Sequence, residues 1–339
     1  MKRSPCVSVV LPCFNAEGSL SAAIDSIRRQ TFLDWELIVV DDGSTDKSIE
    51  IARSAALMDE RILVIPTAHG GIVEALALGC DAVRGEFIAR MDADDIAAPA
   101  RLNEQTDLMC RGDCLAICGT QVSMTGGRLG SGRIRYEEWI NSLVSHDEIV
   151  GELFVECPIP HPTFMMRREA YNSVGGYKDL GWAEDYDLCM RMFVAGMRFG
   201  KVSSKLLNWT ESSDRLSMTS SRYSFEKFRA LKRHYLFQTY LSEGFGVGGV
   251  RFHQWGAGEV GKAWLREWEG RKPISVVDIN SRKIGTKIHN TQVISPDELP
   301  RPGQTFIVIA VGAPNAREEI RAWFEPRGYK ELRDYLFLS

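Results

Sequence analysis

Three carboxylates fall within four positions at Asp92, Asp94 and Asp95, after an apolar run at 87–89 and the pair Arg90-Met91. Asp92 and Asp94 stand two apart at what reads as a strand end, where alternate side chains share a face, so both can enter one crevice. Two anions brought together are unfavourable unless a cation neutralises them. A hard divalent ion, Mn²⁺ or Mg²⁺, suits such a pair, with substrate phosphates and water completing its coordination. The bland alternative is an acidic loop in which Asp95 caps the helix entered near Pro99 and Asp92 caps a turn.

A second group of acids, Glu184, Asp185 and Asp187, opens a helical pattern after Trp182-Ala183. Acids in a first helical turn are favoured by the helix dipole whatever their function. Facing a crevice that already holds a metal and an anionic donor, one of them could take a proton from an incoming hydroxyl. Helical spacing sets Asp185 on the face of Leu188 and Met192, and Glu184 on that of Asp187.

The elements that must position these acids alternate. Short β-branched runs at 7–11, 36–40, 61–65, 86–91 and 115–118 read as strands. Between them Leu20, Ala23, Ile24 and Ile27, then Ile49, Ala52, Ala56 and Leu57, recur at helical spacing. Repeated βα units predict an α/β fold with a doubly wound, mostly parallel sheet covered on both faces. Its ligand crevice lies at the carboxyl ends of the strands. Cys13-Phe14-Asn15, Asp41-Asp42-Gly43-Ser44 and the 92–95 acids all fall at such ends.

Residues 120–160 lack the alternation and read as an insertion with a helix around 136–145. An ordered block resumes at 163–209. A basic, aromatic helix over 223–241, with Lys227, Arg229, Lys232 and Arg233, reads as a solvated linker or as a contact for an anionic lipid surface. The expected organisation is a catalytic domain at 1–220, a helical linker at 221–247 and a small α/β domain at 248–339.

With 339 residues, 44% hydrophobic and 25% charged, the composition is that of an ordinary globular protein with two cores. A net charge of −4 calls for no nucleic acid. Eight scattered cysteines without Cys-x-x-Cys pairs read as reduced thiols of a cytoplasmic protein. Cys110, Cys114 and Cys118 are spaced by four but straddle a turn, so a shared metal site is disfavoured. Lys2-Arg3 before the run 7–11 imitates a leader, but the run is too short and Pro12 stops it. Nothing approaches the apolar length of a membrane span, so at most a peripheral contact at the inner membrane face is expected.

In order, the motifs Val9-Val10-Leu11-Pro12-Cys13-Phe14-Asn15, Val39-Val40-Asp41-Asp42-Gly43-Ser44-Thr45-Asp46, Ala89-Arg90-Met91-Asp92-Ala93-Asp94-Asp95 and Glu184-Asp185-Tyr186-Asp187-Leu188 resemble those of family 2 glycosyltransferases of the GT-A fold. The resemblance implies an inverting, metal-dependent transfer from a nucleotide-diphosphate sugar, a UDP-sugar foremost, to a hydroxyl of a glycan or lipid-linked acceptor, in cell-surface polysaccharide synthesis. It implies that Pro12, Phe14, Asn15, Asp41 and Asp42 hold the nucleobase and ribose. Asp94 would be the principal metal ligand, and Asp92 would bind the ribose or support the metal. Asp185 would be the catalytic base, with Glu184 beside it, and Arg215 and Ser217 would reach the diphosphate. The sequence departs from the pattern at Ala77, where relatives often carry Asn. His161-Pro162 precedes a strand near the expected acceptor face, and a structural histidine and a substrate contact are equally compatible with it.

Farther on, Gly256-Ala257-Gly258-Glu259-Val260-Gly261 follows a strand and opens a helix, the context a dinucleotide fingerprint requires. Asp278 stands 17 residues after Gly261, near the place of a ribose-binding acid. This block resembles small Rossmann-like nucleotide-binding modules, and Gly256, Gly258, Gly261 and Asp278 form its candidate site. The same glycines also serve plain strand-to-helix packing. Two other functions remain: a non-catalytic nucleotide-binding or scaffold protein, and a sugar-phosphate nucleotidylyltransferase. The latter needs a Gly-rich, basic loop after the first strand, which Pro12-Cys13-Phe14-Asn15-Ala16-Glu17 lacks.

Overall fold

The computed structural model describes residues 4–111, 114–126, 130–211, 219–242, 251–268 and 270–339. The chain forms two compact units, one of residues 1–149 and 158–220, the other of 150–157 and 221–339.

The first unit begins with β1 (Val7–Cys13), α1 (Leu20–Arg28), β2 (Trp35–Asp42), α2 (Ser48–Met58), β3 (Ile62–Thr67), α3 (Ile72–Asp81) and β4 (Phe87–Arg90). It continues with β5 (Ile96–Ala97), α4 (Arg101–Cys110), β6 (Leu115–Thr125), α5 (Ser131–Ser142), α6 (His146–Glu152, whose residues from Val150 on belong to the second unit), β7 (Met165–Arg167), α7 (Arg168–Ser173), α8 (Glu184–Val194) and β8 (Arg198–Thr210). One sheet carries all eight strands in the order β3-β2-β1-β4-β7-β6-β8-β5. The first four strands are parallel, as the βα alternation requires, and β7 runs antiparallel to β4 and β6. Every residue of β1 and β2 is buried, so both read as largely apolar runs, broken by Ser8 and Glu36, which bond to each other at 2.6 Å.

Register places the future site. Cys13 pairs with Asp41 and Val10 with Arg90, so the loop after β1 is flanked by the ends of β2 and β4. Beyond the acidic turn, β5 pairs antiparallel with β8, Ile96 opposite Asn208.

Some expectations shift. In α2 the buried residues are Ser48, Ala52 and Ala55, whereas Leu57 is 90% exposed. At 100° per residue it points away from the face carrying Ala52 and Ala55. At the end of the ordered block, 199–202 and 205–209 form one strand, β8, because a register irregularity against β6 lets pairing continue between them. A short 3₁₀ turn at His161–Thr163 precedes β7. Cys118 is buried while Cys110 and Cys114 are exposed, so the three thiols do not converge.

The second unit contains α9 (Phe225–Gln238), β9 (Phe252–Trp255), α10 (Glu259–Glu267), β10 (Val276–Val277), β11 (Lys287–Ile288), β12 (Thr291–Ile294), β13 (Phe306–Ile309), α11 (Ala316–Phe324) and β14 (Tyr335–Phe337). The sheet order is β11-β12-β10-β9-β13-β14, parallel except for the β11–β12 hairpin, a Rossmann-like arrangement. Helix α9, expected as a linker, is part of this unit, and so is the segment 150–157. Arg229 and Arg233 pair with Glu267, and Lys232 is buried, donating to the carbonyls of Val155 (2.5 Å) and Leu338 (3.0 Å). Burial pulls the Lys232 ammonium down to about 8. Three of the four cations that suggested a lipid-facing surface are therefore engaged inside the unit. Among the described residues no helix is long and apolar enough to cross a membrane.

Candidate active site

At the end of β1, Pro12 is buried in the strand and Phe14 is 45% exposed. The Phe14 ring stacks on His69 with centroids 4.1 Å apart and planes 22° from parallel. Asn15 adopts the left-handed conformation (φ 49°) and joins two loops: its Oδ1 accepts the Thr45 N–H at 2.8 Å, and its own N–H donates to Ser44 Oγ at 3.0 Å.

Asp41 and Asp42 behave differently. Asp41, buried at the strand end, accepts the Cys13 thiol at 3.7 Å, and that thiol is pushed up to about 12 by burial and by Asp41 itself. Asp42 turns its carboxylate to the next loop, accepting the N–H groups of Gly70 (2.8 Å) and Gly71 (2.9 Å), with His69 Nδ1 at 2.9 Å. Gly43 (φ +71°) is required here, because a Cβ would lie 2.7 Å from the His69 main-chain nitrogen. Asp42 thus fixes the loop that presents His69.

The turn after β4 brings ligand oxygens of Asp92, Asp94 and Asp95 within 4.8 Å of one another, the one such acid, thiol or imidazole group of three among the described residues. Asp95 is fully buried. Its Oδ1 accepts the Thr210 N–H at 2.8 Å, while its Oδ2 has no hydrogen-bond partner. Burial, then the charge of Asp92, raises its carboxyl to about 8. Its bond thus goes to β8 and not to the helix near Pro99 as the loop reading expected, because the β5–β8 pairing carries Thr210 alongside. Below the turn lie two buried arginines. Arg90 pairs with Asp92, and Arg101 donates to the Arg90 carbonyl at 2.6 Å. An all-carboxylate oxygen set with one buried, unpartnered oxygen fits Mg²⁺ or Mn²⁺ rather than a soft metal.

At the start of α8, Glu184 is 1% exposed, and its Oε1 lies 3.7 Å from His161 Nδ1. His161 is itself buried, with Nε2 bonded to the Tyr177 hydroxyl at 2.8 Å. Burial, then the nearby Arg90 charge, holds its imidazole well below the usual range, so it is neutral. The structural reading of His161 is therefore the one the geometry favours. Asp187 is buried too, accepting from Trp182 Nε1 (3.0 Å) and Arg191 Nε (2.8 Å). Asp185 is half-buried and accepts the Tyr186 N–H at 2.7 Å. Of these three acids it is the one with access to solvent.

Arg215 and Ser217 lie outside the described residues. His69, Arg90 and Thr210 were not singled out from the sequence. For Arg90 a signal existed: a lone cation in the buried strand Phe87–Arg90 needs a partner. Thr210 offers only its backbone, for which no sequence signal exists.

In the second unit, Gly256 (φ +117°) and Gly261 permit the close approach of β9 to α10, since a Cβ on Gly261 would lie 1.9 Å from the Gly256 carbonyl oxygen. Nothing crowds Gly258. Asp278 accepts the N–H groups of Ala257 (3.1 Å) and Asn280 (2.8 Å), and Lys283 Nζ sits 3.1 Å from it and 3.2 Å from the Ala257 carbonyl oxygen.

The first unit thus has the GT-A architecture of nucleotide-sugar transferases, with a triad of acids at the end of its fourth strand. Residues 8–175 match the glycosyl transferase family 2 model. The chain is 32% identical over 235 residues to the putative glycosyltransferase EpsE of Bacillus subtilis, covering 67% of this chain and 80% of that protein. It is 28% identical to the O-antigen biosynthesis glycosyltransferase WbnJ of Escherichia coli, over 66% of this chain and 88% of that one. The fold resembles TarS of S. aureus in complex with UDP-GlcNAc, with a TM-score of 0.55 and 20% identity over 68% of this chain and 66% of that one. The chain belongs to the family 2 glycosyltransferases, and it is a glycosyltransferase.

Proposed function

We propose that this protein moves a sugar, with inversion, from a nucleoside-diphosphate sugar to a hydroxyl of a glycan or lipid-linked acceptor, assisted by Mn²⁺ or Mg²⁺. The observation that carries the reading is the convergence of Asp92, Asp94 and Asp95 within 4.8 Å at a strand end. Asp94 and Asp92 would hold the cation, which when bound offsets the negative charge developing on the departing diphosphate. Phe14 offers a ring face to the nucleobase, and Asp41 lies beside it at the end of β2. Pro12, buried at the end of β1, would back the nucleobase, while Asn15 and Asp42 tie the neighbouring loops. Asp185, the accessible acid at the α8 N-terminus, would take the acceptor proton, and Glu184 would support it from the buried side. Arg215 and Ser217 remain the proposed diphosphate contacts.

The donor of the TarS complex, UDP-GlcNAc, supports a UDP-sugar, and likeness to an O-antigen enzyme supports a role in surface polysaccharide synthesis. That none of the eight cysteines forms a disulfide suits a reducing, cytoplasmic setting. In the second unit, Gly256 and Gly261 serve packing, and Asp278 is engaged by its own loop and Lys283. A nucleotide there would have to displace that lysine.

The test is release of nucleoside diphosphate from a panel of nucleotide sugars, with and without Mn²⁺. Turnover that is metal-dependent and lost in Asp94→Asn is expected. No metal-dependent turnover or binding with any sugar would overturn the proposal.

A further inference from the structure

The acidic turn has a cation of its own. Arg90 closes β4 with its side chain only 6% exposed, and its guanidinium forms an ion pair with Asp92 Oδ1. Its Nε and Nη1 have no hydrogen-bond partner. A guanidinium has five donors in a fixed fork, and burying it with donors idle is unfavourable. The residue is therefore poorly explained as a hydrogen-bonding strut, and the ion pair is what its burial secures. A second buried guanidinium, Arg101, binds the Arg90 carbonyl at 2.6 Å and Met91 Sδ at 3.2 Å, so the strand end bearing Asp92 rests on two cations. The repulsion among the acids, which by itself argues for a divalent ion, is partly relieved without one.

We propose that Arg90 is a built-in counter-ion that holds Asp92 in place in the metal-free protein and competes with the divalent cation for it. The inference rests on the metal-assisted reading above. Arg90 is thus a positioning residue: it preforms the turn and weakens cation binding, since guanidinium and metal repel across a few ångström. Such weakening favours a metal that binds together with the donor, whose diphosphate supplies the missing negative charge.

The test uses the full chain. Mn²⁺ binding is measured by calorimetry, and thermal unfolding is followed with EDTA or Mn²⁺, for wild type, Arg90→Met and Arg90→Lys. Arg90→Met is expected to bind Mn²⁺ roughly tenfold more tightly than wild type, to melt lower in EDTA and to gain more from added Mn²⁺. Arg90→Lys should stay near wild type. In wild type labelled with [¹⁵N]arginine, the Arg90 Nε–H resonance should move as Mg²⁺ is added, an arm that decides the matter if the methionine variant does not fold. A folded Arg90→Met that binds Mn²⁺ no more tightly, or an Arg90 resonance indifferent to saturating Mg²⁺, sinks the proposal while leaving the transferase reading intact. Wild-type protein that binds no divalent cation, alone or with nucleotide, overturns the metal reading and this inference together.

Discussion

Asp95 and Thr210 lie 115 positions apart, yet a carboxylate oxygen of the first accepts the main-chain N–H of the second at 2.8 Å. The two-residue strand β5, paired with β8, brings them together. The acidic turn is thereby tied to β8, the strand next to the β5 edge of the sheet.

Removing that tie leaves a backbone N–H without its acceptor. Asp95→Ala is expected to lower stability by about 1–3 kcal/mol, read as a shift in urea midpoint. Asp95→Asn keeps an acceptor oxygen and should lose less. Equal losses in the two variants would show that the bond to Thr210 is not what Asp95 contributes.

Asp185→Asn separates binding from chemistry. Donor affinity should persist while sugar transfer falls roughly a hundred- to ten-thousand-fold. Stopped-time transfer assays beside equilibrium binding of a nucleoside diphosphate check both halves. Unchanged transfer would move the base to another residue.

The neighbouring acids Asp41 and Asp42 should part company under mutation. Asp42→Ala removes the acceptor of two glycine N–H groups and is expected to cost about 2–4 kcal/mol. Asp41→Asn should instead raise the donor KM, with a smaller loss of stability. Melting curves and donor titrations on both variants discriminate, and a reversed pattern would exchange the two roles.

Acid should weaken the second unit. His253 is buried with Nδ1 2.7 Å from Ser275 Oγ and Nε2 unpartnered, and burial, then Arg251, lowers its pKa to about 4. The unfolded chain binds this proton near pH 6.5 and the folded one does not until about pH 4, so stability declines as pH falls through that window. His161 acts with the same sign in the first unit. Urea midpoints at pH 7.5 and pH 5 should therefore differ less in His253→Gln than in wild type.

Much of this was legible in the sequence, for identifiable reasons. The buried parallel strands β1, β2 and β4 announce themselves as apolar runs that end in polar residues, so the crevice and its acids follow from local pattern. What local pattern could not supply is which acid meets which partner. Asp41 and Asp42 look interchangeable until register turns one toward Cys13 and the other toward Gly70 and Gly71. Leu57 fits the helical spacing of α2 but falls on its solvent side, since periodicity places a stripe only within a residue or so. Glu184 and Asp185 are adjacent in sequence, and only the packing of His161 and Tyr177 buries the first.

The segment 150–157 falls in the stretch without βα alternation, and it packs within the second unit. Phe154 meets the Tyr240 ring edge-on at 5.7 Å, and Glu152 is bonded by Arg317 and Arg321. Because the chain enters this unit, leaves it and returns, no single cut yields two intact halves. A fragment ending at residue 220 would carry Leu153 and Phe154 stripped of their cover, an aggregation-prone stub on the first unit. Recombination or trimming at that point is correspondingly disfavoured, and the partition a linear domain map suggests is not one the folded chain can follow.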